Sequence, residues 1–364
     1  MVQKIIKALA LGISFISIFL LFLSFPAWLI SPLRTPFFSF MGIAFPIILL
    51  SNIICLLFWL FNKKWKAALI IGIALVLCYK PITTFFPLNI KLKPVPEKSL
   101  KVLTYNVMGF MGEAQKNSAH PLLEYIAKTD ADIVCLQEYM ISKTGKSLLT
   151  QQDVNKILNK YPYKSITGLE YSGKYHTYGL ACFSKYPITS TKEFAFKSSY
   201  NGSAVYKLNV NDETYLVVNN HLESNKISSS DKKLYSDLLV KRDSRTLTEV
   251  TSNIKKRLGR GYSKRAKQVQ TISDYINQQK FDKLIICGDF NDTPISYAYK
   301  KMKGNLIDAY ASTGFGPGIT YYEDFFLFRI DYILHSKNLK SHKTTVDRVK
   351  YSDHYPVLTY LTEQ

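Results

Sequence analysis

The first 90 residues contain no aspartate or glutamate and only seven lysines or arginines. Soluble domains carry both signs of charge on their surfaces, so this composition excludes an ordinary soluble domain. Two stretches, residues 8–30 and 37–61, have no charged residue, and the short connection between them contains only Arg34. Each exceeds the ~20 helical residues that cross a hydrocarbon core of ~30 Å. We therefore predict two transmembrane helices.

A third apolar segment, residues 67–86, is interrupted at Lys80. It crosses the membrane if Lys80 extends to the interface, and otherwise lies on the surface as an interfacial helix. Lysines before the first helix and in residues 62–66 place both regions in the cytoplasm by the positive-inside rule. Three crossings predict a multi-pass membrane protein with the rest of the chain extracytoplasmic, whereas two would leave it inside.

Other signals are missing from the remaining chain. The five cysteines show no CxxC spacing, which argues against a zinc ribbon or a disulfide framework. No glycine-rich phosphate loop is present. Removing the seven N-terminal cations from the 47 basic residues leaves 40 against 27 acids, a net charge of +13. This charge favours nucleic acid, anionic headgroups or phosphorylated small molecules, or serves only solubility.

Residues 91–98 (KLKPVPEK) predict an extended linker, because each X-Pro step disfavours helix. Residues 99–364 then form one predicted domain in which strands and helices interleave. Strands are predicted at 100–107, 132–137, 178–184, 204–210, 214–220, 283–287, 330–335 and 357–361, and helices at 121–128, 151–159 and 297–303. Hairpins, such as the one turning at Asn211-Asp212, favour mixed sheets covered by helices.

Several predicted strands lead into polar residues, which are Asn106, Glu138, His221, Asp289 and Asn291. The predicted strand 330–335 carries Asp331, and Asp353 and His354 follow near the C-terminus. Singly, an Asn or Asp after a strand is usually a turn residue. Together they supply hard oxygen ligands and two histidines. The oxygen ligands suit Mg²⁺, with Mn²⁺ as a substitute.

The ordered motifs TYNV, LQE, NHLE, GDFN, RIDYI and SDHYPV resemble those of the endonuclease/exonuclease/phosphatase superfamily, across nearly all of residues 98–364. The resemblance implies an α/β fold, a four-layer α/β/β/α sandwich of two mixed sheets. It also implies that Glu138 is the principal metal ligand, supported by Asn106 and Asp353.

For catalysis, the resemblance implies that Asp289 activates or orients the attacking water and that Asn291 holds a phosphate oxygen or the metal. His221 and His354 would flank the phosphate, and Asp331 would orient His354. An aspartate partner fixes an imidazole tautomer and favours its charged form.

Substrate contacts are less sharply defined. Residues 171–184 resemble the family strand that ends in SKYPI, here residues 184–188. In some members of the family a Tyr, Glu or His just before it touches the phosphate or supports the first histidine. His176, Thr177 and Tyr178 are the candidates for this role. Residues 228–279 read as largely helical, with a basic block at 255–267 broken by Gly259 and Gly261. Three roles are open for that block: it binds phosphates, it lies on an anionic membrane, or it forms a solvated helical face. Arg265 is its first candidate for substrate binding.

These features predict a membrane-anchored, Mg²⁺-dependent phosphoesterase that acts on a lipid headgroup, an inositol phosphate or another phosphoester. The expected partners are the lipid bilayer and the substrate, without a protein partner. A membrane-tethered nuclease is the alternative, although no aromatic-interleaved basic groove favours nucleic acid. A catalytically inactive scaffold would be expected to lose Glu138, Asp289 or His354, and the sequence retains all three.

Overall fold

The computed structural model describes residues 1–90, 94–111, 120–145, 149–225, 244–323 and 327–364. In these residues the helices are α1 Val2–Leu23, α2 Pro26–Leu29, α3 Phe37–Phe61, α4 Trp65–Leu77, α5 Tyr79–Phe85, α6 Pro121–Thr129, α7 Gln151–Ile157, α8 Ser244–Asn277, α9 Tyr297–Lys303 and α10 Ala309–Thr313, with a 3₁₀ turn at Met108–Phe110. The strands are β1 Leu100–Asn106, β2 Ile133–Ser142, β3 Tyr163–Gly168, β4 His176–Ser184, β5 Ile188–Ala195, β6 Gly202–Val210, β7 Glu213–His221, β8 Lys283–Asp289, β9 Ile307–Asp308, β10 Asp331–His335, β11 Leu339–Val346 and β12 Val357–Glu363.

The strands form two six-stranded sheets, in the orders β11-β12-β1-β2-β4-β3 and β5-β6-β7-β8-β10-β9. We call them sheet 1 and sheet 2. Within each sheet one pair is parallel, β1 with β2 and β7 with β8, and the other main pairs are antiparallel. Both sheets are therefore mixed, as predicted. Because each parallel pair ends on the same side, the polar residues that follow those strands are brought together.

The two sheets pack face to face through small and β-branched side chains, including Cys135 and Val102 of sheet 1 and Cys287 and Val217 of sheet 2. Helices α6 and α7 cover the outer face of sheet 1, and α8 and α9 cover the outer face of sheet 2. This arrangement confirms the predicted four-layer sandwich. All five cysteines are free and buried.

Four strands were missed by sequence analysis: β3, β5, β9 and β11. Each lies at the edge of its sheet, and β5 is mostly exposed. An edge strand needs no continuous apolar run, because one side faces solvent. The periodicity that identifies central strands is therefore weak in these segments.

The helical prediction is confirmed for the basic block at 255–267, because α8 runs through both Gly259 and Gly261. A stripe that includes Leu258, Tyr262 and Val269 is buried along this helix. Its packing outweighs the lower helix propensity of glycine. Residues 228–243, the first part of the stretch predicted to be largely helical, lie outside the described part of the chain.

Of the N-terminal helices, α1 continued by α2 (Val2–Leu29) and α3 (Phe37–Phe61) are long and apolar enough to cross a membrane. The third predicted helix, residues 67–86, is not continuous: α4 and α5 meet at a bend of 67°. The bend lies beside Pro81, which lacks an N–H for the helical ladder. Two hydrogen bonds join α3 to α1. Asn52 of α3 donates to the Ser17 carbonyl at 3.0 Å, and Trp59 of α3 donates to the Ser14 hydroxyl at 2.8 Å.

Candidate active site

Strand register places three of the predicted residues side by side at one end of sheet 2. His221, the last residue of β7, is opposite Asp289, the last residue of β8. Asp331, the first residue of β10, is opposite Asp289 on its other side. Asp289 is therefore the centre of a row of three ionisable side chains, and all three are buried.

Glu138 enters the site from sheet 1 at an irregularity in β2. The pairing of β2 with β4 shifts between Leu136 and Tyr139, and Glu138 has a φ of +53°. Such a backbone is costly for a non-glycine residue and is found where function constrains geometry. The bulge points the carboxylate toward the cleft, where 31% of its side chain remains accessible.

Asn106 links the two sheets at the site. Its Nδ2 donates to Glu138 Oε1 at 3.1 Å and to Asp289 Oδ2 at 3.2 Å. Its Oδ1 accepts from the Met108 amide at 3.1 Å. An amide oxygen has two lone pairs, so this hydrogen bond is compatible with the predicted role of Asn106 as a supporting metal ligand. In the present arrangement Asn106 holds two carboxylates close together.

Two imidazoles flank Asp289. His354 Nδ1 is 2.9 Å from Asp331 Oδ2, and its Nε2 is 3.8 Å from Asp289 Oδ2. On the other side, His221 Nε2 is 3.8 Å from Asp289 Oδ2 and 3.5 Å from Glu138 Oε1. The predicted pairing of Asp331 with His354 is thus present, with Nδ1 engaged and Nε2 directed at the site.

Asn291 and Asp353 complete the cluster. Asn291, with a φ of +52°, donates its backbone N–H to Asp289 Oδ1 at 2.7 Å and its Nδ2 to the Leu222 carbonyl at 2.9 Å. Burial raises the pKa of Glu138, and the nearby charge of Asp353 adds to this effect. All eight residues that the sequence assigned to metal binding and catalysis converge at this edge of the sandwich.

The pKa values of the central groups are displaced in opposite directions. Burial raises the pKa of Asp289 to about 6, and the like charge of Asp331 adds to this effect. Burial alone would lower the pKa of His354, but Asp331 and Asp289 outweigh it and raise the value to about 10. Burial lowers the pKa of His221. At neutral pH, Asp289 is therefore an ionised base and His354 is a cation.

The oxygen-rich end of the cluster fits a divalent cation. Among the described residues, the ligand atoms of Asp289, Asp331 and His354 lie within 4.8 Å of one another. Asp331 is already engaged by His354, whereas Glu138 is partly accessible and is repelled by Asp353. A cation between Glu138 and Asp353 would relieve that repulsion, and carboxylates are the ligands that hard cations prefer.

The predicted substrate-binding residues Tyr178 and His176 differ in whether they contact the acidic cluster. Tyr178 is buried and its hydroxyl hydrogen-bonds Glu138, so it belongs to the cluster. His176 lies at the start of β4, where its Nε2 is 3.0 Å from the Tyr171 carbonyl and its ring packs against the Tyr171 ring. The described contacts of His176 are thus with Tyr171 rather than with the carboxylates.

Arg265 does not occupy the exposed position that phosphate binding required. Its side chain is completely buried, with Nε 3.0 Å from Asp292 Oδ2 and Nη1 2.7 Å from the Glu223 carbonyl. The sequence interpretation followed the basic block and overlooked that Arg265 lies on the same helical face as Tyr262 and Val269, which are also buried. Arg265 holds Asp292, three residues beyond Asp289.

Sequence analysis also missed supporting residues. The Ser352 hydroxyl donates to the Asn106 carbonyl at 2.8 Å, and the Tyr321 ring lies 5.0 Å from that of His354. Between the sheets, Gln137 Nε2 donates to Asn219 Oδ1 at 2.7 Å. Ser352 and Gln137 stand inside the quoted motifs and could have been found there; Tyr321 carries no sequence signal.

The fold and the cluster of acids and histidines define a phosphoesterase of the two-sheet sandwich class. The model of the Endonuclease/Exonuclease/phosphatase family matches residues 103–354, and the chain belongs to this family, whose members hydrolyse phosphoester bonds. Residues 4–85 match a second family, described as a domain of unknown function. A search of curated proteins found no match.

Solved structures support the same fold. The endonuclease/exonuclease/phosphatase from Beutenbergia cavernae is 14% identical, with a TM-score of 0.51, covering 73% of this chain and 72% of that one. The family protein from Leptotrichia buccalis is 19% identical, with a TM-score of 0.50 and coverage of 72% and 99%. D. rerio TDP2 complexed with single-strand DNA product is 14% identical, with a TM-score of 0.51 and coverage of 73% and 100%. At these identities the likeness concerns the fold alone.

Proposed function

We propose that this protein is a membrane-anchored, Mg²⁺-dependent phosphoesterase that hydrolyses a phosphoester at the membrane surface, with a lipid headgroup or an inositol phosphate as substrate. The observation that carries the proposal is Asp289, an ionised carboxylate between two histidines and hydrogen-bonded through Asn106 to Glu138. Hydrolysis needs a base that accepts a proton from water and a positive charge that stabilises the phosphate. Asp289 supplies the base, and His354, whose Nε2 lies 3.8 Å from Asp289 Oδ2, supplies the charge.

Asp289 is the base in this proposal. Its pKa of about 6 leaves it ionised at neutral pH yet basic enough to accept a proton from water. The backbone N–H of Asn291 donates to Asp289 Oδ1 at 2.7 Å and holds the carboxylate in one orientation. In this orientation Asp289 Oδ2 faces the histidines. His354 is unsuited to be the base, since its pKa of about 10 keeps it protonated.

His354 instead donates from Nε2 to a phosphate oxygen or to the leaving group, while Asp331 retains Nδ1–H. His221, whose pKa burial lowers, binds the phosphate as a neutral imidazole from the opposite side. Glu138 and Asp353 would hold Mg²⁺, with Mn²⁺ as a substitute. When bound there, the ion would neutralise charge on the phosphate oxygens.

A membrane location for the substrate is supported by where the N-terminal helices meet the catalytic domain. Trp28 and Gly42, near the α1–α3 connection, contact residues 294 and 295, and Asn89 after α5 bonds the Gly314 carbonyl at 2.9 Å. The N-terminal and 62–66 lysines lie at the opposite ends of these helices. By the positive-inside rule, this favours three crossings and an extracytoplasmic catalytic domain.

The test uses the full chain purified in detergent, with bis-p-nitrophenyl phosphate, sphingomyelin, inositol phosphates and plasmid DNA as substrates. We expect Mg²⁺-dependent turnover of a lipid or inositol phosphoester, abolished by EDTA and by Asp289→Asn. DNA cleavage without lipid or inositol turnover would instead identify a nuclease, which the net charge of +13 outside the N-terminal helices favours as second candidate. A folded protein that turns over none of these with Mg²⁺ or Mn²⁺ would indicate the inactive scaffold.

A further inference from the structure

The segment that follows Asp289 packs directly against the N-terminal helices. We call residues 290–296 the catalytic loop. Its Pro294 carbonyl accepts a hydrogen bond from Trp28 Nε1 at 2.8 Å. Ile295 is buried in one apolar cluster with Leu21, Ala27 and Phe45 of the N-terminal region. The loop therefore reaches from the carboxylate that acts as base to the surface of the membrane anchor.

The closest approach is at Gly42 of α3. A Cβ at this position would lie 2.0 Å from the Ile295 carbonyl oxygen and 3.2 Å from Ala27 Cβ. Backbone oxygen cannot approach a methyl group so closely, so only glycine permits this contact without a shift of the loop or the helix. Lys300, in the middle of α9, also lies over the Trp28 ring, 5.3 Å from its centroid.

The opposite side of the catalytic loop is held by the sandwich itself. Asp292 Oδ2 accepts from Arg265 Nε at 3.0 Å, and the Asp292 carbonyl accepts from the Tyr332 hydroxyl at 2.8 Å. Both contacts are buried. The loop is thus fixed between sheet 2 and the anchor helices, and no more than a few residues separate either contact from Asn291.

We propose that the N-terminal helices, besides anchoring the chain, position the catalytic loop, so that Trp28 and Gly42 act as positioning residues for Asp289 and Asn291. The inference rests on the proposed function of the site. The physical reason is that Asn291 has a strained backbone and its amide bonds Asp289. A strained conformation persists only where its surroundings hold it, and here part of those surroundings belongs to the anchor.

The experiment compares three glycine-to-alanine variants of the full chain in detergent micelles. In Gly42→Ala the new methyl meets the Ile295 carbonyl, whereas Gly12→Ala and Gly72→Ala place it where nothing lies within 4 Å. All three changes raise intrinsic helix propensity, so weakened helices cannot explain a difference between them. Bis-p-nitrophenyl phosphate is the substrate, because a soluble molecule needs no delivery by the membrane.

We expect kcat of Gly42→Ala to fall at least about ten-fold, with KM and the Mg²⁺ activation constant changed less than about three-fold, while both controls keep kcat within about two-fold. Glu138 and Asp353 lie outside the catalytic loop, so metal activation should be spared. A general loss of structure would move all three constants. A kcat for Gly42→Ala within two-fold of the wild type would overturn the proposal.

Two further measurements keep the outcome decisive. If Gly42→Ala fails to fold, Trp28→Phe is the second variant, because it keeps an aromatic ring and removes the indole N–H that donates to the Pro294 carbonyl. It should lower kcat about three-fold, and an unchanged kcat would refute the idea. If the wild type turns over no substrate, the proposed function fails separately. Hydrogen–deuterium exchange then decides the inference: Phe290 and Asn291 amides should exchange faster in Gly42→Ala than in Gly12→Ala, and equal rates would contradict it.

Discussion

Asp331→Asn tests the assignment of His354 as a cation at neutral pH. The substitution keeps the shape of the side chain and removes its charge, 2.9 Å from His354 Nδ1. The backbone should stay in place, because the Asp331 N–H is held by the Thr320 hydroxyl at 3.1 Å, independently of the carboxylate. A loss of activity can then be attributed to the imidazole.

The magnitude follows from the pKa of His354. Its value of about 10 results from Asp331 and Asp289 acting against burial, which lowers it. Without the Asp331 charge, we expect the pKa of His354 to fall toward the ordinary histidine value of about 6.5. At that value the protonated fraction at pH 7.5 would drop from nearly all molecules to about a tenth, and kcat/KM would fall about ten-fold. The activity is lost as pH rises through the histidine pKa, so the alkaline limb should move to lower pH.

The assay measures kcat/KM for bis-p-nitrophenyl phosphate as a function of pH from 5 to 10, at saturating Mg²⁺. Asp347→Asn is the matched control, since Asp347 accepts a hydrogen bond from Tyr125 at 2.7 Å rather than from the active-site histidines. The control should keep the wild-type profile. The reasoning is refuted if Asp331→Asn retains the alkaline limb of the wild type, even with reduced activity.

Four other outcomes are expected. Glu138→Gln should reduce turnover by about three orders of magnitude and weaken Mg²⁺ binding in calorimetry, because a principal ligand is lost. Wild-type kcat/KM should fall as pH drops below about 6, where Asp289 becomes protonated, and a pH–rate profile that stays flat to pH 5 would contradict its role as the base. Arg265→Met should lower the free energy of unfolding by about 3–5 kcal/mol, since it leaves a buried carboxylate unpaired. The control Lys160→Met, at an ion pair whose two side chains are both exposed, should cost less than about 1 kcal/mol in the same denaturation assay. A reporter fused after residue 90 should be active on the outer side of the membrane, and cytoplasmic activity would reverse the orientation.

The sequence alone identified the central strands and the family motifs, because buried strands need continuous apolar runs and the chemistry needs particular side chains. Glu138, Asp289 and His354 were found in this way. Edge strands such as β5 lack that apolar constraint and were missed. The break in the third apolar segment was signalled by Pro81, but its angle depends on packing.

Arg265 illustrates the limit of reading charge from sequence. A run of basic residues indicates a surface, yet one guanidinium in the run is completely buried because Asp292 and the Glu223 carbonyl meet it there. Those partners are 27 and 42 residues away along the chain. Pairing at such separations has no local pattern, so only the folded arrangement distinguishes a positioning residue from a substrate contact.

What the sequence determined is the inventory: apolar segments able to cross a membrane, an ordered set of acids and histidines, and the strands that end in them. The tertiary structure decided the relations among these parts, including the Asp331–His354 pair and the seating of Gly42 against the Ile295 carbonyl. The reason is physical. Side-chain type and periodicity are local properties of the chain, whereas distances, burial and the resulting pKa shifts arise only when distant segments share the same space.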